Sequence, residues 1–414
     1  MDTGADVWAC SEAARPRIRS KKVFIMATNA SSQPLSSCFH TRGGADRCVT
    51  RLNSAKLAGF AEMIRREFPL IMKTITLLAS LAFPCLALAQ LAPDLQPAQF
   101  GALTLYFEND AFGGTDRDYT NGARISWTSP SLKQFRDDAH VGGIAGLFDG
   151  TPWMGDAGYD RNVAISIGQS MFTPVDVRNP ALVPNERPYA GWLYVGLGLV
   201  WKKPTVKNTL LFNIGVVGPW SMAEETQRLV HDALGQRSPL GWDNQLGNEI
   251  GINVSYERKW RLHHDPDNHG MGWDFLPYIG ATLGNVYTHG ALGGELRFGH
   301  NLPDDFGTGA ISDSATTPTP VESSSAKPWA NRFGWHLFAR AEGRAIARNI
   351  FLDGNTFRNS HSVDKYPFVA DLSLGFAVNW RNSKLSYAYI YRTREFKGQP
   401  DEQIFGSITL SIFF

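Results

Sequence analysis

The sequence predicts an all-β fold in which about twelve antiparallel strands close into a transmembrane barrel. Segments of about ten residues with alternating polarity recur after residue 100, and Gly, Pro, Asn and Asp separate them. An apolar run typical of a signal peptide precedes these segments, and the last of the four cysteines is Cys85. An exported, cysteine-free chain with this alternation is typical of the bacterial outer membrane.

The first part of the chain is predicted to be a leader rather than a folded domain. Residues 1–62 show no sustained apolar period, so we expect an unstructured or over-extended N-terminus, with an organelle transit peptide as the alternative. Residues 63–89 match a secretory signal peptide, because Lys73 precedes the apolar run 75–89 and small residues end it. That run is too short for a transmembrane helix. Cleavage after Ala89 would leave residues 90–414 as the barrel domain.

The first predicted hairpin joins strands at 101–109 and 121–129. Leu103 and Leu105 fall on one face of its first strand and Thr104 and Tyr106 on the other, because side chains alternate along a strand. One face is therefore apolar and the other polar. The stretch 107–122, which contains the tip of this hairpin, carries three Asp, two Asn and two Thr.

The same pattern predicts ten further strands. They are 161–171, 190–202, 207–217, 245–260, 273–284, 287–299, 333–347, 367–381, 384–395 and 404–414. The chain ends inside the last strand on Phe414, which resembles the C-terminal signature of outer-membrane proteins. A water-soluble sandwich or lipocalin-like barrel would also alternate and is the alternative fold.

Closure of the sheet would decide which connections share a rim. With a periplasmic N-terminus, the connections after odd-numbered strands are extracellular, so 110–120 and 218–243 should meet. The connections 130–160 and 300–332 would then be unusually long for periplasmic turns. The second contains a run of Ser, Thr and Pro at 312–325 and is predicted to be a flexible insertion.

One extracellular connection is predicted to contain a short helix. Ser221 and Glu224 form the pattern of a capping box, and Gly235 provides a stop. Gln227 and His231 are four residues apart and share one face of this helix. Taken alone, such a histidine is most often simply exposed on the helix surface. A histidine that met a carboxylate, amides and a hydroxyl at one rim could activate water for attack on an ester.

An ordered set of short motifs carries a family resemblance. The motifs are Asn109-Asp110, the run 118–122 (Asp-Tyr-Thr-Asn-Gly), the run 217–219 (Val-Gly-Pro), Gln227-x-x-x-His231, Gly235, Trp242, Gln245 and Asn248-Glu249. Together they resemble the lipid A 3′-O-deacylase family of outer-membrane enzymes over roughly residues 100–414. The resemblance implies a twelve-stranded barrel with its active site between the outer part of the wall and a loop helix. It also implies bound calcium as the oxyanion hole.

The resemblance assigns roles to residues of this chain. His231 matches the base that activates water, Gln227 the helix amide and Thr120 the hydroxyl residue. Asn109 and Asp110 match the site at the end of the first strand, and both are predicted to hold the calcium ion.

Two positions depart from the family pattern. Where the family has a lysine after the third strand, this chain offers Arg178 and, further on, Arg187, either of which could pair with a lipid phosphate. Where the family has an acidic residue shortly after the histidine, Gln236 and Arg237 stand here. These departures concern the metal ligands and the substrate rather than the general chemistry.

The sequence thus predicts a monomeric integral outer-membrane ester hydrolase that removes the 3′-acyloxyacyl chain of lipid A in lipopolysaccharide. The net charge of +1 gives no reason to expect nucleic acid binding. A non-enzymatic porin or structural barrel is the alternative from another class. A serine-dependent phospholipase is a further alternative, with Ser170 or Ser221 as the nucleophile.

Overall fold

The computed structural model describes residues 101–110, 118–154, 156, 158–234, 237–263, 270–309 and 333–413. The expected leader, 1–62 and 63–89, lies outside the described residues, so those boundaries stay predictions. Within the described ranges, no helix has the length and apolar character needed to cross a membrane.

Twelve antiparallel strands form one closed sheet in which each strand pairs with its sequence neighbours and β1 pairs with β12. The strands are β1 (Ala102–Asn109), β2 (Asp118–Thr128), β3 (Asp160–Thr173), β4 (Ala190–Lys203), β5 (Val206–Val217), β6 (Glu249–Trp260), β7 (Met271–Gly284), β8 (Tyr287–His300), β9 (Gly334–Asn349), β10 (Phe368–Trp380), β11 (Ser383–Arg392) and β12 (Gln403–Phe413). The helices are α1 (Gly142–Ala145), α2 (Ala223–Leu234) and α3 (Ile350–Asp353). The predicted barrel is confirmed.

The alternation of polarity separates the lumen from the outer wall. In β1, Thr104 and Tyr106 are buried, whereas the alternate residues Leu103 and Leu105 face outward. On the outer wall, Ile125, Ile167, Val195 and Ile214 pair in register across β2 to β5, and each is about half exposed, at 50 to 52%. We call these four residues the apolar belt. Such a band on a closed barrel is the surface that contacts lipid.

The lumen is crossed at one end by residues 301–309, which follow β8. The Asp305 carboxylate accepts from Arg297 of β8 and, at 2.7 Å, from Lys384 Nζ of β11. The carbonyl of Gly309 accepts from Thr409 Oγ1 of β12 at 3.0 Å. Because β8 and β12 lie on different sides of the barrel, this segment spans the lumen.

The other end of the barrel, where β1 ends and β2 begins, is called the site rim below. Here Phe351 of α3 stacks on Phe172 of β3 with ring centroids 4.0 Å apart. Arg187 bonds Glu395 at 2.8 Å and lies over the Phe172 ring. Burial raises the pKa of the Glu395 carboxyl, but the nearby Arg187 and Arg392 charges outweigh burial and hold that pKa below its ordinary value. Loops therefore also reach across the lumen at this rim.

The described parts of the two connections that seemed too long for turns have defined positions. Residues 130–159 fold back onto the outer wall of β3 to β6. Residues 301–309 enter the lumen, so the first part of the predicted insertion is ordered by ion pairs rather than flexible. The Ser, Thr and Pro run 312–325 lies outside the described residues.

These crossings predict that the barrel does not conduct ions like a porin. Arg297 is fully buried between Asp274 and Asp305, and the segment 301–309 that carries Asp305 lies across the lumen. We expect no porin-sized steps when the purified protein is added to a planar lipid bilayer, with a known porin as the positive control. Regular, voltage-stable steps would contradict the described lumen.

Candidate active site

The end of β1 brings two of the predicted site residues to the site rim. Asn109 faces outward at the end of the strand, and its Nδ2 donates to the carbonyl of Thr120 at 3.1 Å. Asp110 follows the strand and is only 1% exposed. This bond uses the amide nitrogen of Asn109, and the oxygen of the same amide is an acceptor of the type that can also serve as a metal ligand.

A β-bulge places Thr120 beside this pair. The register between β2 and β3 shifts between Tyr119 and Asn121, so Thr120 is the extra residue of the bulge. Its hydroxyl and that of Thr173 are 2.7 Å apart and both are buried. The bulge therefore directs Thr120 towards the end of β3.

A row of outward-facing residues leads from this point to α2. Asn109 pairs with Asn121, Asn121 with Met171, and Met171 with Gly191 across β1 to β4. A side chain at Gly191 would collide with α2, because its Cβ would lie 2.3 Å from the Cβ of Ala223. Glycine at this position allows the helix to lie directly against the wall.

One face of α2, which carries Gln227 and His231, packs towards the wall of the barrel. Ala223, Gln227 and His231 recur every four residues and all three are buried, with 1%, 2% and 4% of their surfaces exposed. Leu229, on another side of the helix, is 71% exposed. The histidine is therefore not an ordinary exposed helix residue.

The predicted capping box is wrong, although the helix begins within two residues of the expected start. Ser221 lies in a 3₁₀ turn before the helix, and Met222 adopts a left-handed conformation with φ of 57°. The Ser221 hydroxyl has no hydrogen-bond partner among the described residues. Its carbonyl instead accepts from Gln169 Nε2 at 2.6 Å, so Ser221 joins the start of α2 to β3.

The contact of His231 with the chain after α2 defines its tautomer. Nδ1 lies 2.9 Å from the carbonyl oxygen of Arg237. Since a carbonyl can only accept, Nδ1 carries the proton, and Nε2 is the acceptor nitrogen of the neutral ring. The position that lacks the family's acidic residue thus contributes a backbone carbonyl to the histidine.

The amide of Gln227 is oriented by Trp242. The indole Nε1 donates to Gln227 Oε1 at 2.8 Å, and the indole ring packs on Tyr189 with centroids 5.0 Å apart. An indole N–H can only donate, which fixes the oxygen of the amide on the tryptophan side. Gln227 Nε2 is buried and has no partner among the described residues. The Gln227 N–H donor therefore has no acceptor in the part of the chain that the structure describes.

The two arginines considered for phosphate binding differ in position. Arg178 is exposed, and its backbone N–H donates to Asp176 Oδ1 at 3.1 Å. The neighbouring Val177 carbonyl accepts from Leu240 N, which brings this loop next to the chain after α2. Arg187 is buried in its ion pair with Glu395 across the lumen. Arg178 alone of these two is accessible.

The predicted calcium ligands at the end of β1 carry oxygen donors of the type that a hard cation prefers. A buried carboxylate, an outward amide oxygen and a hydroxyl are contributed by Asp110, Asn109 and Thr120, and oxygen donors of this kind are what calcium prefers. No cluster of three or more His, Cys, Asp or Glu that could hold a metal occurs in the described part of the chain. Carbonyl oxygens and water would have to supply the remaining calcium ligands.

Sequence reasoning missed several residues that shape the site. Gln169 and Thr173 face outward near the end of β3, yet Ser221, in the turn before α2, contacts Gln169 and Thr120 contacts Thr173. Trp242 was recognised as part of a motif but not as the partner of Gln227. Polar side chains on a lipid-facing surface were the available signal, because exposure of such groups to lipid is unfavourable.

A closed barrel with an apolar outer band is the fold of an outer-membrane protein, and here a loop helix packs on the wall over a polar site. The family model described as "Outer membrane protein LpxR" matches residues 75–414. The chain therefore belongs to the LpxR family of outer-membrane lipid A deacylases, and this membership implies lipid A 3′-O-deacylation.

One of the solved structures compared with this chain supports the fold. LpxR from Salmonella typhimurium is similar with a TM-score of 0.60 and 19% identity, over 76% of this chain and 100% of that chain. The β domain of the Bordetella autotransporter BrkA gives a TM-score of 0.35 and 10% identity, over 76% and 98% of the two chains. No curated protein matches this chain significantly.

The close approach at Gly191 predicts a selective loss of activity. Gly191→Ala should push α2 away from the wall, because the added Cβ meets both Ser221 and Ala223. We expect a loss of lipid A deacylation of about tenfold or more, since misplacement of catalytic groups by about 1 Å can have a still larger effect. Mass spectrometry of lipid A measures the activity, and heat-modifiable migration on a gel shows that the barrel is folded.

The control for this variant is Gly290→Ala, where an added Cβ meets no atom within 4 Å. Equal activity of the two variants would contradict the close packing of α2 on β4.

Proposed function

We propose that the site between α2 and the outer wall removes the 3′-acyloxyacyl chain of lipid A by attack of a histidine-activated water on the ester. The observation that carries this proposal is the buried stripe of Gln227 and His231 facing a wall whose outward row leads to Asn109. A monomer remains our expectation for the assembly.

The dimensions of the elements support the meeting of His231 with the end of β1. Gly191 and Asn109 are three strands apart, which is about 14 Å at the usual strand spacing. Ala223 and His231 are eight residues apart along a helix, or about 12 Å. A helix that starts over Gly191 and follows the row would thus carry His231 towards Asn109.

His231 is suited to act as the base. With the proton of Nδ1 donated to the Arg237 carbonyl, the ring is oriented and Nε2 can accept a proton from water. Water then attacks the ester carbonyl carbon, and the protonated imidazole returns its proton to the leaving alkoxide oxygen. A carboxylic acid and a hydroxyl group are the products.

Asp110 and Asn109 are the residues that would hold calcium, with the Thr120 hydroxyl nearby. When bound, the ion would polarise the ester carbonyl and stabilise negative charge on its oxygen. The unpaired N–H donor of Gln227 would orient the substrate or the attacking water from the helix side.

The surface around the helix suits a lipid substrate. Trp220, Met222, Leu229 and Leu240 are 56 to 71% exposed and all lie on α2 or the chain flanking it. Apolar side chains there can contact acyl chains in the outer leaflet. Arg178, exposed on the adjacent loop, can pair with a lipid phosphate.

The alternatives considered from the sequence find less support. A porin would require an open lumen, whereas 301–309 and the Arg187 ion pair cross it. For a serine-dependent phospholipase, Ser170 faces the lumen cavity and Ser221 is buried at the start of α2. No hydrogen bond from either hydroxyl to a histidine is present among the described residues.

Substitution of the proposed base tests the function directly. His231→Ala should lower deacylation by about 10²- to 10⁴-fold, the usual contribution of a general base, while the barrel remains folded. Mass spectrometry of lipid A from cells expressing each variant measures the removed acyl mass. His300→Ala, which changes a histidine at the opposite rim, is the matched control. Substantial deacylation by His231→Ala would refute the assignment of the base.

Removal of calcium tests the metal assignment separately. Chelation with EGTA should abolish deacylation by the purified protein, and added Ca²⁺ should restore it. Asp110→Asn should lower activity by about 100-fold or more and weaken Ca²⁺ binding measured by calorimetry, because a carboxylate ligand is lost. Asp401→Asn, at an exposed position of the same rim, should change neither quantity. Full activity in EGTA would exclude calcium from the reaction.

The contact between Trp242 and Gln227 predicts a graded effect. Trp242→Phe keeps an aromatic ring but loses the indole N–H, so we expect kcat to fall by about 2- to 10-fold with little change in KM. Gln227→Glu removes the free N–H donor and should have a larger effect. Trp380→Phe is the control, because its ring is 62% exposed and lies at the end of β10, at the opposite rim. Unchanged kcat in Trp242→Phe would show that the amide needs no orientation by the indole.

A further inference from the structure

Residues 130–159 form a segment outside the barrel wall, at the rim opposite the active site. We call them the collar segment; all but 155 and 157 are among the described residues. The segment contains α1 and short 3₁₀ turns and connects β2 to β3. Nothing in the proposed reaction uses it.

The inner side of the collar segment packs on outward-facing residues of the wall. Phe135, Ala145 and Met154 are at most 1% exposed and contact the cluster that contains Leu199. The rings of Phe148 and Phe212 have centroids 5.7 Å apart, which extends the contact to β5. The segment therefore covers part of the lipid-facing wall.

Polar groups hold the collar segment in this position. The buried guanidinium of Arg161 donates to the carbonyls of Lys133, Met154, Asp156 and Tyr159, at distances of 2.6 to 2.9 Å. These bonds satisfy carbonyls at both ends of the segment at once. It is thus a fixed part of the barrel surface.

The outer side of the collar segment is also apolar. Ile144, Leu147 and Trp153 are 61%, 77% and 62% exposed. Ile144 and Leu147 are three residues apart and share a side, whereas Ala145 and Phe148 share the side that packs on the wall. The packing of this short segment on the wall does not require three of its large apolar side chains to be exposed.

This exposed surface lies next to the apolar belt. Leu197 and Phe212, which pack under the collar segment, pair with each other and lie two residues from Val195 and Ile214 of the belt. Side chains two residues apart on a strand share a face. The outer side of the collar segment therefore continues the surface that contacts lipid.

We propose that the collar segment is embedded in the periplasmic leaflet of the outer membrane, with Ile144, Leu147 and Trp153 among phospholipid acyl chains near the headgroups. Its orientation follows from the proposed function, which puts the opposite rim at the outer leaflet. Two basic and four acidic residues at 130–159 give a net charge of −2, so the contact is apolar rather than an attraction to anionic headgroups. Tryptophan is common at this depth.

Depth-dependent quenching of a fluorescent probe tests the proposal. Leu147→Cys is labelled with an environment-sensitive fluorophore in a full-length chain whose four native cysteines are serine, and the protein is reconstituted in phosphatidylcholine vesicles. Spin-labelled lipids carry the quencher either near the headgroup or near the end of the acyl chain. Ile167→Cys in the apolar belt and Asp401→Cys at the site rim are the lipid and water controls. Ile144→Cys replaces Leu147→Cys if the latter fails to fold.

We expect the Leu147 probe to be quenched at least twofold more by the headgroup-proximal label than by the deep label, and the Asp401 probe by neither. The ratio should be unchanged in high salt. Quenching of the Leu147 probe no greater than that of the Asp401 probe would refute membrane insertion. Energy transfer between labelled copies that persists at high lipid dilution would also refute it, because it would show that a second copy covers this face. Failure of the deacylase assignment would leave this measurement unaffected.

Discussion

Closure of the sheet between β1 and β12 is the constraint on which the rest of this structure depends. Hydrocarbon offers no water to hydrogen-bond an open strand edge, so a sheet can cross a membrane only as a closed barrel. Closure also fixes the direction of every strand, and with it the rim at which each loop lies. The tip after β1 and the helix after β5, separated by about one hundred residues in sequence, consequently share a rim.

The lumen and the outer face of this barrel have different roles. The lumen contains paired charges such as Arg297 with Asp274 and Asp305, and such pairs are stable there only because each charge has partners. The candidate active site lies instead on the outer face, beneath α2. A lipid substrate can reach that position by lateral diffusion in its own leaflet. A lumen crossed by protein segments and an external site therefore fit one enzyme, since neither substrate nor product needs to pass through the barrel.

The sequence was sufficient to predict the strands because alternation with period two is a local property, and all twelve were found within about four residues of their ends. The site was predictable in part, through the ordered motifs that include Asn109 and His231. Contacts between distant segments were not, because alternation does not reveal which outward residues a loop covers. The pairing of Trp242 with Gln227, the burial of Arg187 and the fold-back of 130–159 all depend on such contacts. Ser221 was misread for the opposite reason: a local capping pattern was outweighed by packing on Gly191.

One rule would have located the site from the strands alone. On the wall of an outer-membrane barrel, a polar outward residue is unfavourable unless protein covers it. In β3 the outward positions Ile165 and Ile167 are exposed, but Gln169 and Thr173, further along the same face, are polar and contacted by Ser221 and Thr120. The change from apolar to polar along one face of one strand therefore marks where the membrane contact ends and the covered site begins.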